Sequence, residues 1–207
     1  VLFRSPGDKC RKSLEESLRK LDLDYVDLVL LHWPYNDVYQ AWRSLEKAQH
    51  DGLVRSIGVS NFMPSQLIDL ICFNDVTPAV NQVETHLYCQ YRELQNVMRR
   101  YGVAHQAYSP FGRNRNMDMY KEDAVTAAAQ KYGKTPHQIA LRFLVQSGIS
   151  VLPKSSHADR IKNNADIFDF VLTDDEMKTL AALDKEDVLV GNSQDATYTE
   201  NMIKRTV

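Results

Sequence analysis

Val26-Asp27-Leu28-Val29-Leu30-Leu31, running straight into His32-Trp33-Pro34, sets the pattern for the whole chain. The run is short, apolar and continuous, and it stops in polar and aromatic residues. Four more runs repeat the arrangement: residues 56–59 into Ser60-Asn61, 79–83 into Glu84-Thr85-His86, 103–108 into Ser109-Pro110, and 149–152 into Pro153-Lys154-Ser155. A helix-like stretch follows each one. Strands alternating with helices imply a parallel sheet, because a parallel neighbour needs a long crossover that a helix normally supplies. In such sheets chemistry gathers at the carboxyl ends of the strands, which is where these polar residues fall. The unbroken apolar run 26–31 also reads as a strand buried on both faces.

Outward from the strands, Asp8 is placed to cap a helix that carries Cys10, Leu14, Leu18 and Leu21 at helical spacing. A second helix holds Trp42, Leu45 and Ala48 and stops at Gly52; a short third holds Leu67, Ile68 and Ile71; a fourth holds Leu94, Val97, Met98 and Tyr101 and closes on Gly102. After the polar loop Arg113-Asn114-Arg115-Asn116 a helix ends near Gly133, and Thr135-Pro136 joins an N-cap to a proline at the first helical position. The helix it starts bears Ile139, Phe143 and Leu144. Another follows around residues 160–164, and Thr173-Asp174-Asp175-Glu176 is a capping box that opens a helix with Met177, Leu180 and Leu183. From Asp187 onward the tail is polar and aperiodic, and no linker or second domain interrupts the chain. Five βα units fall short of the eight that close a (β/α)8 TIM barrel at about 250 residues. The expected fold class is therefore α/β, an incomplete TIM barrel, with the runs 26–31 and 149–152 as open edges.

Bulk properties narrow the function. A chain of 207 residues with a net charge of −2 has no electrostatic pull toward nucleic acid or a membrane surface, so a small molecule is the expected partner. Cys10, Cys72 and Cys89 are odd in number and contain no C-x-x-C pair, which points to reduced thiols rather than disulfides or a thiolate metal site. No apolar stretch approaches the roughly 18 to 20 residues that span a bilayer, and the first 20 residues lack a signal-peptide core; a cytoplasmic protein is expected. Val1-Leu2-Phe3-Arg4-Ser5 match nothing in the rhythm that follows. One back-translation of them, GTG CTC TTC CGA TCT, is the end of a widely used sequencing-library adapter. They read as a sequencing remnant, with residues 6–207 as the protein's own domain and Pro6 as a break inside a longer gene.

Singly, each strand-end residue has a structural explanation. His32 can be a hydrogen-bonded core histidine, Ser60-Asn61 a helix cap and Tyr108 a core aromatic. Gln82 and Glu84 share one strand face and can hold a polar interior together. Their order and spacing carry more. Leu31-His32-Trp33-Pro34, Ile57-Gly58-Val59-Ser60-Asn61-Phe62, Asn81-Gln82-Val83-Glu84-Thr85-His86, Ala107-Tyr108-Ser109-Pro110-Phe111-Gly112, and Leu152-Pro153-Lys154-Ser155 with Arg160 and Asn164 beyond, together resemble the aldo-keto reductases. The resemblance runs from about Asp8 to Leu183 and is greatest to the branch containing the diketogluconic acid reductases.

That resemblance implies an NADPH-dependent oxidoreductase that reduces aldehydes, ketones or keto-sugar acids by hydride transfer, with the cofactor extended across the carboxyl ends of the strands. It makes His32 the catalytic histidine that orients the substrate carbonyl, and places Trp33 beside the substrate. Ser60, Asn61 and Gln82 match the residues that hydrogen-bond the nicotinamide carboxamide, and Tyr108 the aromatic that stacks on its ring. Ser109, Pro110 and Phe111 fall along the pyrophosphate. Lys154, Ser155 and Arg160 match the cluster around the 2′-phosphate, and Asn164 an adenine contact. Asn163 stands where many relatives carry glutamate, and the loop 113–116 falls in a cofactor-covering segment. No G-x-G-x-x-G fingerprint occurs, consistent with a family that does not use one. The family's proton-donating tyrosine, with its lysine and aspartate, belongs to the first three strand units. None of Tyr25, Tyr35 or Tyr39 has the required motif around it. A non-catalytic NADPH-binding regulatory module of the same superfamily is thus the alternative expectation. The other histidines show no ligand spacing, His86 reads as a strand-end structural residue, and no metal is expected.

Overall fold

Main-chain pairing between parallel strands organises the described residues, which are 2–3, 7–115 and 117–204 of a computed structural model. In chain order the elements are β1 Leu2–Phe3, α1 Gly7–Leu21, β2 Val26–Leu31, α2 Val38–His50, β3 Val54–Ser60, α3 Pro64–Cys72, β4 Val80–Glu84, α4 Arg92–Tyr101, β5 Ala104–Tyr108, α5 Asp123–Tyr132, α6 Pro136–Gln146, β6 Ser150–Val151, α7 Ala158–Ala165, α8 Asp174–Ala181 and α9 Ala196–Lys204. Two 3-10 turns, Gly112–Asn114 and Met117–Tyr120, lie between β5 and α5. The chain forms two compact units. The first is Val1–Gln82, Glu93–Ala104 and Gly191–Val207; the second is Val83–Arg92 and His105–Val190.

In the first unit β2 pairs with β3 in a parallel register that sets Val26 opposite Val54 and Leu31 opposite Val59; β3 continues with Val59 opposite Asn81 and Ser60 opposite Gln82. Gly58 permits that closeness. A Cβ there would lie 2.7 Å from both Leu30 Cδ2 and the Val80 carbonyl oxygen. Helix α1 packs on α2, burying Cys10, Leu14 and Leu18 on one side and Ala41, Trp42, Leu45 and Ala48 on the other. Each such large apolar side chain contributes about 1.5–3 kcal/mol on burial. Arg11 ties the same two helices by donating to Asp51 at 2.6 Å.

Several expectations change here. Only the second half of β2, Val29 to Leu31, is buried; Asp27 is exposed and pairs with Arg55 across β3 at 2.9 Å. The edge expected to be open at 26–31 is partnered at its last two residues, Leu30 and Leu31, by Leu2 and Phe3. Val1, Arg4 and Ser5 of the supposed remnant lie outside the described residues. Helix α1 starts at Gly7, so Asp8 falls inside its first turn instead of capping it, and Leu21 at its far end is exposed. The tail is not aperiodic throughout: Asp195 accepts from the Tyr198 N–H at 2.6 Å and caps α9.

In the second unit β5 pairs with β6, Gln106 opposite Ser150 and Ala107 opposite Val151. The core gathers Val125, Ala128, Ile139, Phe143, Leu144 and Leu180 from α5, α6 and α8. Both capping boxes are present, Thr135 with Gln138 and Thr173 with Glu176, and Gly133 ends α5 at φ +62° as a left-handed cap. Leu183 lies beyond the end of α8 and packs partly buried against this core. No helix among the described residues is long and apolar enough to cross a membrane.

His105 on β5 is buried, with Nε2 2.8 Å from Thr85 Oγ1 and Nδ1 without a hydrogen-bond partner among the described residues. Burial pushes this imidazole down to about 4. An unfolded histidine protonates near pH 6.5, so the folded state loses stability as pH falls from about 6.5 to 4 and the loss levels off below, amounting to about 3 kcal/mol. Urea unfolding midpoints across that range should show this slope in the wild type and a shallower one in His105→Gln. Identical slopes would contradict it.

Candidate functional site

The parallel register brings the strand ends of the first unit together: His32 follows β2, Ser60 and Asn61 end β3, and Gln82 lies on β4 opposite Ser60. Asn61 has a left-handed backbone, φ +63°, which turns its side chain back over the neighbouring strands. Its Nδ2 donates to the His32 carbonyl at 2.9 Å and to Ser60 Oγ at 3.0 Å. The Ser60 hydroxyl in turn donates to the Gln82 carbonyl at 2.7 Å, and the Asn61 N–H reaches the same oxygen at 3.0 Å. Four residues expected at one site are thus wired into a single polar network. Ser60 and Asn61 are buried, whereas His32 and Gln82 are half-buried.

Trp33 is also buried, stacked on Tyr35 with ring centroids 5.6 Å apart and planes 3° from parallel, and tilted against Tyr198 at 5.5 Å. Its indole Nε1 has no hydrogen-bond partner among the described residues. The tail reaches this end of the first unit in two further places. Ser193 Oγ lies 2.9 Å from the Asn61 carbonyl and 3.1 Å from Gln66 Oε1, and Thr199 Oγ1 lies 3.4 Å from the Tyr35 hydroxyl.

In the second unit Tyr108 ends β5, and its carbonyl accepts from the Thr85 N–H at 3.2 Å. Ser109 then takes a left-handed conformation, φ +51°, and the Gly112 N–H bonds back to its carbonyl at 2.9 Å. That tight turn delivers Phe111 to a cavity of about 690 Å³. Lys154, Ser155, Arg160 and Asn164 line the same cavity, as does Asn163. Five of the eight residues expected in this unit therefore line one cavity, while Tyr108, Ser109 and Pro110 sit on the strand end and turn that lead into it. Asn116 of the expected covering loop lies outside the described residues.

The electrostatics of the cavity are one-sided. Lys131, Lys134, Lys178 and Lys185 elsewhere in the unit sit in ion pairs of 2.7 to 3.2 Å. Lys154 and Arg160 make no ion pair among the described residues, and no carboxylate lines the cavity with them. An anion with an adjoining aromatic or polar body is what such a wall can hold. Sequence reading missed three further lining residues, Thr135, His137 and Gln138 at the start of α6. The Thr135-Pro136 pair marked the helix start, but nothing in its spacing said that the helix begins at a cavity.

Glu84 had been assigned only to a polar interior. It is buried, and its Oε2 accepts from the Leu189 N–H at 3.0 Å and the Val190 N–H at 2.8 Å. Its Oε1 stands 3.6 Å from His86 Nε2, too far for a hydrogen bond, and both atoms lack a partner among the described residues. His86 Nδ1 accepts from the Tyr88 N–H at 3.3 Å, so the ring proton resides on Nε2 and points at Glu84. Cys89 beside them is buried, and burial holds its thiol well above the usual range, leaving it unreactive.

The aldo/keto reductase family model matches residues 5–185. An aldo-keto reductase from Mycobacterium sp. (strain MCS) is 45% identical over 186 residues, covering 88% of this chain and 63% of its own. Morphine 6-dehydrogenase from Pseudomonas putida is 39% identical over 190 residues, covering 86% of this chain and 64% of its own. The chain thus spans somewhat under two thirds of the length of these relatives. The crystal structure of a Bombyx mori aldo-keto reductase in complex with NADP superposes with a TM-score of 0.86 at 32% identity, over 97% of this chain and 70% of that one. The likeness establishes the fold as part of a (β/α)8 barrel.

Removing the Glu84 carboxyl tests what holds the chain at residues 189–190. Glu84→Ala should leave two half-buried N–H groups without their carboxylate acceptor. Amide hydrogen exchange at Leu189 and Val190 is expected to accelerate at least tenfold while exchange within α6 stays unchanged. Unaltered protection at both amides would show that the carboxyl does not hold them.

Proposed function

Because this chain belongs to the aldo-keto reductase family, we propose that it binds NADPH and serves the reduction of an aldehyde, ketone or keto-sugar acid. The observation that carries the reading is the cavity of the second unit, where Lys154 and Arg160 stand without carboxylate partners among the described residues. A guanidinium fork and an ammonium suit a 2′-phosphate, and the hydroxyl of Ser155 and the amide of Asn164 suit its ribose and adenine. The donor set therefore fits the phosphate-bearing end of the dinucleotide.

At the strand ends of the first unit, Ser60, Asn61 and Gln82 are assigned to the nicotinamide carboxamide, which would join or exchange with the hydrogen bonds they already make. The His32 imidazole is assigned to the carbonyl oxygen, where negative charge develops during reduction, and Trp33 to the wall of the substrate site. Tyr108 is assigned to the nicotinamide ring, with Ser109, Pro110 and Phe111 along the pyrophosphate. When bound, the reduced dinucleotide supplies the hydride. Cofactor binding is expected of these residues themselves, whereas turnover needs the proton-donating tyrosine that the family places in its first strand units.

Neither Tyr35 nor Tyr25 is a ready substitute. The Tyr35 hydroxyl faces Thr199 and is pushed above its usual range, chiefly by burial, and the Tyr25 hydroxyl accepts from Arg55 at 2.5 Å. The alternative reading is a module that binds NADPH without reducing a carbonyl. NADPH consumption with a panel of aldehydes and ketones separates the two.

Dissociation constants for NADPH and NADH, measured by fluorescence titration, test the cofactor assignment. Wild type should prefer NADPH by tenfold or more, corresponding to about 1.5–3 kcal/mol for charge-assisted hydrogen bonds. Arg160→Ala should lose most of that preference and leave NADH affinity within about twofold, since the guanidinium addresses only the extra phosphate. Equal affinities in the wild type would sink the assignment of Lys154 and Arg160.

A further inference from the structure

We propose that His137 is a proton-linked contact of this cavity: a phosphate-bearing nucleotide that binds beside Arg160 converts the His137 imidazole to imidazolium. The proposal rests on the cavity's being the site of the NADPH 2′-phosphate. Its geometric basis is independent of that reading. His137, in the first turn of α6, lies with its ring stacked on Tyr120, centroids 4.0 Å apart and planes 20° from parallel, and meets Phe111 edge-on at 5.3 Å. Two aromatic neighbours fix the ring, and it lines the same cavity as Lys154 and Arg160.

The groups that face it are cationic or neutral. They are Tyr120 from the second 3-10 turn, Lys154 from the segment after β6, and His157 and Arg160 from α7 and its cap. No carboxylate lines the cavity. With the cavity free of anions, burial and then the Arg160 guanidinium hold the His137 imidazole below its usual range, hence neutral near pH 7. A phosphate monoester brings between about 1.5 and 2 negative charges at pH 7, which offsets Arg160 and favours the charged imidazole. The bound-state pKa then exceeds the free-state one. Between the two values binding takes up a proton, and affinity falls as pH rises through the bound-state value. His137 is in this sense a third cation that exists only when the ligand does.

Isothermal titration calorimetry with 2′,5′-ADP on the full chain, in two buffers of different ionisation heat near pH 6.5, measures the protons exchanged. The ligand's own phosphate ionisation is common to all variants, so differences between proteins isolate the imidazole. His137→Phe, which keeps a ring on Tyr120, should take up fewer protons per ligand than wild type, by a fraction approaching one. NMR titration of the His137 ring in the wild-type protein needs no variant, and its midpoint should rise by about one pH unit or more when 2′,5′-ADP is added. Binding with equal proton uptake in wild type and His137→Phe, or an unmoved midpoint, overturns the proposal while leaving the cofactor reading intact. Failure of 2′,5′-ADP to bind the wild type overturns both.

Discussion

Leu31 lies opposite Val59, and Val59 opposite Asn81, and that alignment governs the strand-end site of the first unit. In a parallel ladder all strands run the same way, so an in-step register makes them finish at one edge. Side chains that follow the last paired residues are then neighbours without further design. His32, Ser60, Asn61 and Gln82 meet for this reason, and Asn61 joins them because its left-handed backbone folds the amide back to the His32 carbonyl and Ser60. Gly58 guards the alignment, since a side chain there would strike the backbone of the next strand at Val80. A shift of β3 by one residue would turn every one of its side chains to the other face.

In the second unit the decisive term is electrostatic. Most surface lysines there are neutralised by carboxylates within hydrogen-bonding distance, and exposed pairs of that kind contribute at most about 1 kcal/mol to stability. Lys154 and Arg160, two of several cations of the unit without an ion pair among the described residues, line the cavity with hydroxyls, amides and aromatic rings. Unpaired cations add nothing to folding.

Much of the architecture could be read from local signals. The Thr173–Glu176 capping box, the Thr135 N-cap and the Gly133 stop are where side-chain chemistry demanded them, because each is decided by residues close in sequence. What escaped depends on distant partners. Helix α9 has few buried positions of its own and is held by Asp195 and by Tyr198 against Trp33, some 165 residues earlier in the chain. The exposed half of β2 was hidden behind an apolar run, because the Asp27–Arg55 pair that marks its outer face is visible only once the strands are aligned. Of the site, the Lys154-Ser155 and Ser60-Asn61 motifs were legible, and so was their grouping into strand-end sets. His137 was not, since its position is set by Tyr120 and Phe111 from separate turns, and neither stands at a helical or strand spacing from it. Glu84 was visible as a buried acid but not as an anchor.

That anchor has an evolutionary corollary. Glu84 grips the chain at Leu189 and Val190 through their amide N–H groups and not through their side chains. Every residue except proline carries such a group. The attachment point is therefore indifferent to the sequence it holds. Mutations can rewrite positions 189 and 190 freely, proline apart, and the segment will still be fastened at the same place. Variation at these two positions is thereby uncoupled from their attachment, whereas Ser193 and Tyr198 further on hold the tail through their side chains.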